Sequence, residues 1–244
     1  MHRFYATNAD FHSSEFTLSD TEEIHHLKNV LRLKLGATIY ILNGRGEEAS
    51  GEIISLNNKS VIIRISLVKE TPAPKPIIIL ACAIPKKSKF ETIIEKTTEL
   101  GVDEIIPLLT QRTEIKLTEE RGEKKQSRYQ TIAINAAKQS RRLTVPIIHP
   151  ATKFNQVLKT FTQDSIAIIP SLMEPRTPLL TAFEKIHNPA KLTFFIGPEG
   201  DFTEEEYHLI TQLGGIPVSL GKTILKVETA AIATIACAQL IFRR

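Results

Sequence analysis

The chain has 244 residues, 42% of them hydrophobic and 24% charged, and a formal net charge of +4. That length allows one large or two modest cores, and the composition excludes a disordered, collagen-like or disulfide-stapled polypeptide. No apolar run approaches the roughly 20 residues of a membrane span, and the opening MHRFYATNADF lacks the basic-then-apolar order of a secretory leader, so a cytoplasmic protein is expected.

The first predicted element is a helix announced by Ser19 with Glu22 three residues on, a capping-box spacing, and carrying His25, His26, Leu27, Val30, Leu31 and Arg32. Adjacent histidines on a helix point about 100° apart. With no third ligand near them in sequence, surface or hydrogen-bonded histidines are expected, and no metal. Short β-like runs follow at 38–42, 51–54 and 60–65, separated by Asn/Gly turns, which predicts a small β-barrel over residues 1–70. In KETPAPKP, residues 69–76, alternating prolines remove backbone donors and favour an extended linker. The domain border is placed there, with the linker at 71–76.

From residue 77 to 244 strand and helix alternate: strand 77–84, helix 88–100 ended by Gly101, strand 104–109, helix 123–142, a strand near Ile147, helix 153–161, strand 165–169, helix 179–186, strand 192–196, helix 203–213, strand 218–220 and helix 227–242. This predicts an α/β domain with a mainly parallel sheet and helices on both faces, whose ligands collect beyond the C-terminal strand ends. Cys82 and Cys237 lie in apolar runs and are expected as core thiols in a reducing compartment. Acidic residues slightly outnumber basic ones up to Thr71, so the basic surplus lies in the C-terminal part, compatible with a nucleic-acid partner without requiring one.

Two strand ends carry candidate chemistry. In IGPEGDFTEEE a strand stops at Gly197-Pro198, Glu199 interrupts two glycines, and Thr203 with Glu206 makes a capping box for the next helix. In LGKTILKVETA, Gly221-Lys222-Thr223 looks like the end of a phosphate-binding P-loop. The P-loop frame needs a glycine at 216, where isoleucine stands, and the intervening residues read as a strand, so an ATPase is disfavoured. The final helix is rich in alanine and predicted to be buried, in part against a second subunit, with Glu228 at its positive end. A third feature is the stripe Lys124, Arg128, Thr131, Asn135, Lys138 and Arg142 on one helix face, readable equally as a solvated face or a phosphate-binding one.

Taken together, His26-Leu27 with Val30-Leu31-Arg32, Lys89, Glu99-Leu100-Gly101-Val102, Ile106-Pro107, Gln139-Ser140 with Arg142 and Pro146, the Ile196-Gly197-Pro198-Glu199-Gly200 run, Leu220-Gly221, Ile224-Leu225 and Glu228-Thr229-Ala230 occur in a specific order. In these the chain resembles the RsmE family of bacterial 16S ribosomal RNA (uracil-N3)-methyltransferases, in the SPOUT class. The resemblance implies a PUA-like RNA-binding barrel and an α/β domain with a trefoil knot in a homodimer. It also implies S-adenosylmethionine as methyl donor, S-adenosylhomocysteine as product, and 16S rRNA of the small ribosomal subunit as partner, methylated at N3 of a uridine in the decoding region. No membrane and no metal are implied.

By the same resemblance the donor is expected at Leu172, Gly197, Pro198, Glu199, Gly200, Leu220, Gly221, Ile224, Leu225, Thr229 and Ala230. Arg112, Arg142 and Lys226 are expected to steady RNA phosphate or the developing uracil anion, with Glu199 or Glu228 as proton acceptor. RNA contacts are expected from Arg3, His26, Arg32, Arg112, Arg128, Asn135, Lys138, Gln139, Arg141 and Arg142. The chain departs from the family pattern where Asp201 replaces a second glycine, Lys226 an arginine, Lys138 an acidic residue and Arg141 a glycine. The competing readings are a SPOUT methyltransferase for another RNA such as tRNA, a non-catalytic RNA-binding module and, remotely, a P-loop ATPase.

Overall fold

The computed structural model describes residues 2–7, 9–85, 89–113, 119–161 and 164–243. The chain forms two compact units, one of residues Met1–Ala73 and Ala137–Val145, the other of Pro74–Ala136 and Pro146–Arg244. The segment 137–145, which sequence alone places in the second domain, groups with the first.

The first unit is a five-stranded mixed sheet built from β1 (Arg3–Tyr5), β2 (Glu15–Leu18), β3 (Thr38–Leu42), β4 (Glu47–Leu56) and β5 (Val61–Glu70), in the order β1-β3-β4-β5-β2. Only the β1–β3 pair is parallel. Gly51 in β4 is required by packing, because a side chain there would meet the Arg64 carbonyl at 2.4 Å. Helix α1 (Thr21–His25) runs directly into a π turn over His26–Val30 and seats Ile24 and Leu27 in the core with Phe4, Ile39, Ile41, Ile53 and Ile63. Its N-cap is Asp20 rather than Ser19: the Asp20 carboxylate accepts from the N–H groups of Glu22 and Glu23, and a carboxylate at the positive helix end outcompetes a hydroxyl. His25 and His26 are exposed, His25 hydrogen-bonding Asn29 at 2.8 Å.

Segment 137–145 is stitched into this unit. Val145 N–H donates to Gly44 O (2.9 Å), Gly46 N–H to Leu143 O (3.1 Å), and Lys138 pairs with the buried Glu23.

The second unit is a parallel sheet of β6 (Ile77–Ala83), β7 (Glu104–Leu109), β8 (Ile147–Ile148), β9 (Thr152–Lys153), β10 (Ser165–Pro170), β11 (Thr177–Pro178), β12 (Lys191–Ile196) and β13 (Ile216–Ser219). Its order is β11-β13-β10-β12-β6-β7-β8, with β9 also on β7, and every pair is parallel. The central strand β6 is buried along nearly its whole length, the reason its sequence is apolar without alternation. The helices are α2 (Lys89–Glu99), α3 (Glu119–Gln139), α4 (Phe154–Lys159), α5 (Leu179–Glu184), α6 (Glu204–Gln212) and α7 (Val227–Phe242). One core cluster joins Phe154, Val157, Phe195, Phe202, Tyr207 and Ile210, while α7 packs on α2, β6 and β12. Just past α7, the half-buried Arg243 pairs with Asp103 and donates to Pro76 O and Gly101 O, clasping the start of β6.

Candidate functional site

Strands β13, β10 and β12 are neighbours and parallel, so their C-terminal ends open on one edge of the sheet. The loops that follow them, together with the first turn of α7, enclose a cavity of about 400 Å³. Chain order and sheet order differ at these strands, the topology that leaves a crevice at strand ends.

The loop after β12 is closed on itself. Asp201 N–H donates to Pro198 O (2.9 Å), which turns the chain and leaves Asp201 at φ +61°. Its carboxylate accepts from Phe202 N–H and from the Tyr207 hydroxyl, each at 2.8 Å. A side chain on Gly197 would stand 3.0 Å from the Asp201 carboxylate and 3.2 Å from Phe202 N, a tight fit that a larger residue relieves only if this loop gives way by a few tenths of an ångström. At Gly200 an added Cβ meets only Arg112 Cδ, at an ordinary 3.5 Å. Arg112 donates to Gly200 O and Phe202 O. The expected capping box is present: Thr203 accepts from Glu206 N–H, and Glu206 accepts from Thr203 N–H and also from Gln111 N–H, each of the latter at 2.9 Å. Burial pushes the Tyr207 phenol well above its ordinary value, so it remains a donor to Asp201.

The loop after β13 is open. Gly221 has φ +129° with nothing within 4 Å of an added Cβ, so its constraint is backbone conformation rather than space. Ser219 Oγ holds it, accepting from Gly221 N–H and donating to Gly221 O. Ile224 is 78% exposed, and Lys222 and Thr223 also face outward. Lys226 occupies the N-cap of α7 in extended conformation without a side-chain cap bond. Within the first turn, Glu228 pairs with Lys89 at 3.5 Å, while its buried Oε2 has no hydrogen-bond partner among the described residues. Burial, and then the charges of Glu199 and Glu228, push the Cys82 thiol far up, keeping it protonated as an inert core group.

A family model for an RNA methyltransferase domain matches residues 71–239, and one for an RNA methyltransferase PUA domain matches residues 18–66. Ribosomal RNA small subunit methyltransferase E of Synechocystis sp. is 34% identical over 221 residues, 90% of this chain and 71% of the relative. The chain belongs to the ribosomal RNA small subunit methyltransferase E family. The Bacillus subtilis member is 32% identical across 86% of this chain and 84% of its own. The Neisseria gonorrhoeae member, crystallised bound to S-adenosyl methionine, superposes with a TM-score of 0.85 at 28% identity, covering 99% of this chain and 98% of that one.

In this family member the cavity gathers Leu172, Gly197, Pro198, Glu199, Leu220, Gly221, Ile224, Leu225, Lys226, Glu228 and Ala230 of the expected residues. Gly200 and Thr229 are exposed and do not line it. Arg112 reaches the same loop from behind but does not line the cavity. Lys89, Ser171 and Arg176 line it and were not anticipated as site residues; Ser171 and Arg176 follow β10, where the strand-end rule points.

The expected RNA contacts divide between the two units. Arg3, His26, Arg32, Lys138, Gln139, Arg141 and Arg142 belong to the first, and Arg112, Arg128 and Asn135 to the second. Much of the α3 stripe is neutralised: Lys124 pairs with Glu120, Arg128 with Glu91 and Lys138 with Glu23. Arg3 likewise pairs with Glu48 at 2.9 Å. Arg32, Gln139 and Arg141 are exposed, and Arg142 is half-buried, donating to Thr144 while its carbonyl accepts from Tyr5. Among the described residues, no group of three or more His, Cys, Asp or Glu is placed to hold a metal, and no helix is long and apolar enough to cross a membrane.

Proposed function

We propose that the protein methylates N3 of a specific uridine in 16S rRNA of the small ribosomal subunit, using S-adenosylmethionine held in the cavity at the ends of β10, β12 and β13. The observation that carries this reading is the cavity itself, in a chain of the methyltransferase E family: about 400 Å³, roughly the size of a small-molecule site. Its chemistry suits the donor. Ile196, Leu220, Ile224 and Leu225 offer an apolar slot, and Gly197 and Gly221 bring backbone close. Glu199 and Glu228 supply negative charge for a cationic ligand, and the Oε2 of Glu228, without a partner among the described residues, can accept a further hydrogen bond.

When bound, the donor supplies a methyl group already activated by its sulfonium. What remains for the chain is to orient the uracil, exclude water and accept the N3 proton. Holding reacting groups in line is worth on the order of 7–11 kcal/mol in favourable cases. N3 lies on the Watson–Crick edge, so the base must be unpaired or turned outward. Glu228, whose buried Oε2 has no hydrogen-bond partner among the described residues, is the preferred proton acceptor over Glu199. Lys226, exposed at the mouth of the cavity, is placed to steady the developing anion. Arg112 acts instead by holding the carbonyls of Gly200 and Phe202.

The same reading includes a trefoil knot, a homodimer and a cytoplasmic role in ribosome biogenesis. The outer face of α7, with Ile232, Ala233, Ala236, Cys237 and Leu240 only partly covered, supports the homodimer. Mass-spectrometric mapping of rRNA from a deletion strain, with and without the restored gene, tests the substrate. Loss of N3-methyluridine from 16S rRNA on deletion and its return on restoration is expected. An unchanged 16S rRNA with altered tRNA would favour the other-RNA reading.

A further inference from the structure

The cavity is lined by three acidic side chains, Glu199, Asp201 and Glu228, and by three basic ones, Lys89, Arg176 and Lys226. The basic side chains are committed to different degrees. Lys89 pairs with Glu228 at 3.5 Å, and Lys226 is exposed. Arg176, in the loop after β10, is half-buried and held at two points. Its Nε donates to one Glu174 carboxylate oxygen (2.9 Å) and its Nη1 to Ser171 O (2.8 Å), while its backbone N–H donates to the other Glu174 oxygen (3.0 Å). Ser171 is a firm base for this contact: it is 6% exposed, its N–H donates to Val218 O on β13 (2.9 Å), and its hydroxyl accepts from Met173 N–H (2.9 Å). Residues 172–175 between them are exposed, so Arg176 reaches back across an exposed turn to a buried anchor.

A guanidinium carries five N–H donors in a planar fork. Among the described residues, the side chain of Arg176 uses only Nε and one N–H of Nη1, leaving Nη2 and the rest of Nη1 without a hydrogen bond at the cavity wall. The ion pair that helps to hold this fork is a weak source of stability, because the Glu174 side chain is 70% exposed.

We propose that Arg176 binds the α-carboxylate of the methyl donor and makes the site selective for a ligand that carries one. The proposal rests on the cavity being the donor site. S-adenosylmethionine presents a sulfonium, an ammonium and a carboxylate. The first two suit Glu199 and Glu228, whereas the carboxylate is repelled by both and needs a cation of its own. A guanidinium meets a carboxylate with two parallel N–H···O bonds, which a lysine ammonium does not reproduce. Glu174 and Ser171 hold the fork before the ligand arrives, which lowers the ordering cost of binding. Arg176 touches no reacting atom; it acts on binding alone.

The test is calorimetric titration of the full chain with S-adenosylhomocysteine and with S-adenosyl-3-thiopropylamine, the same molecule without its carboxylate. The wild-type protein should bind the first at least about tenfold more tightly, which is about 1.4 kcal/mol. Arg176→Gln should weaken S-adenosylhomocysteine to the level of the analogue and leave the analogue within about twofold of wild type, which also shows that the variant is folded. Arg176→Lys, which keeps the charge and loses the fork, should retain part of the preference. In methylation assays of Arg176→Gln, KM for the donor should rise about tenfold with kcat little changed. Failure of the wild-type protein to bind either ligand would sink the donor-site reading itself. Equal wild-type affinity for the two ligands, or an equal loss for both in Arg176→Gln and Arg176→Lys, would overturn the role of Arg176 and leave that reading standing.

Discussion

The two loops that frame the cavity from β12 and β13 are built on opposite plans. In residues 197–203 polar groups are spoken for by neighbours: Asp201 by Phe202 and Tyr207, the carbonyls of 200 and 202 by Arg112, Thr203 by Glu206. Residues 220–226 hold themselves with one serine hydroxyl at Gly221 and leave Lys222, and the cavity-lining Thr223 and Ile224, exposed. The first loop is a preformed wall, and the second has few contacts resisting local opening. A site made this way keeps its geometry on one side while leaving an entrance on the other.

The largest effect expected from breaking this contrast is at Gly221. Valine there is strained by φ +129° irrespective of space, and Gly221→Val should lower S-adenosylhomocysteine affinity at least about a hundredfold, roughly 2.7 kcal/mol by calorimetry, with the thermal melt little changed. In the wall the corresponding damage falls on stability. Glu206→Ala removes the acceptor of two part-buried N–H groups, and about 1 kcal/mol should be lost in denaturant unfolding. Gly200→Ala, by contrast, meets only ordinary contact at a backbone conformation open to any residue, and should bind donor within about twofold of wild type.

A pH experiment separates the loops further. Burial raises the phenols of Tyr207 and, to about 12, of Tyr5, both from 10.0. The folded state therefore binds these protons more tightly than the unfolded one. The stability they contribute is full below pH 10.0 and is lost as pH rises through the raised values. The melting temperature should fall above pH 10.0, and less steeply in Tyr207→Phe. The smallest effect is reserved for the open loop's lysine: Lys222→Ala should leave donor affinity within about twofold, because the side chain faces solvent and is absent from the cavity wall.

The wall was more legible in sequence than the entrance or the barrel. Thr203 and Glu206 announced their capping box at a fixed spacing, and the alanine-rich α7 has the predicted bounds, since local rules decide both. β1 and β2, three and four residues long, were missed because nonlocal pairing with β3 and β5 defines them. β4 runs ten residues where four were expected, and its register shifts at Ser50/Gly51 and Ile53/Ser55 break the alternation that a period-two reading needs. The cationic stripe on α3 was visible, but its partners Glu23 and Glu91 lie far away in sequence and cancel much of it. Similarly, Asp201 stood out as a departure from the family pattern, while Tyr207, its partner six residues on, carried no signal at all.

The stitching of 137–145 into the first unit changes how the chain can be divided. A cut in the proline-rich stretch at 71–76 looks like a clean separation on paper. A fragment ending at Ala73 would lose the partners of Gly44, Gly46, Tyr5 and Glu23 and leave a buried carboxylate without its lysine. The remaining fragment would carry a nine-residue segment with nothing to fold against. Folding modules in this protein are therefore not contiguous stretches of its gene, and exchanging the barrel between relatives requires transplanting two pieces together.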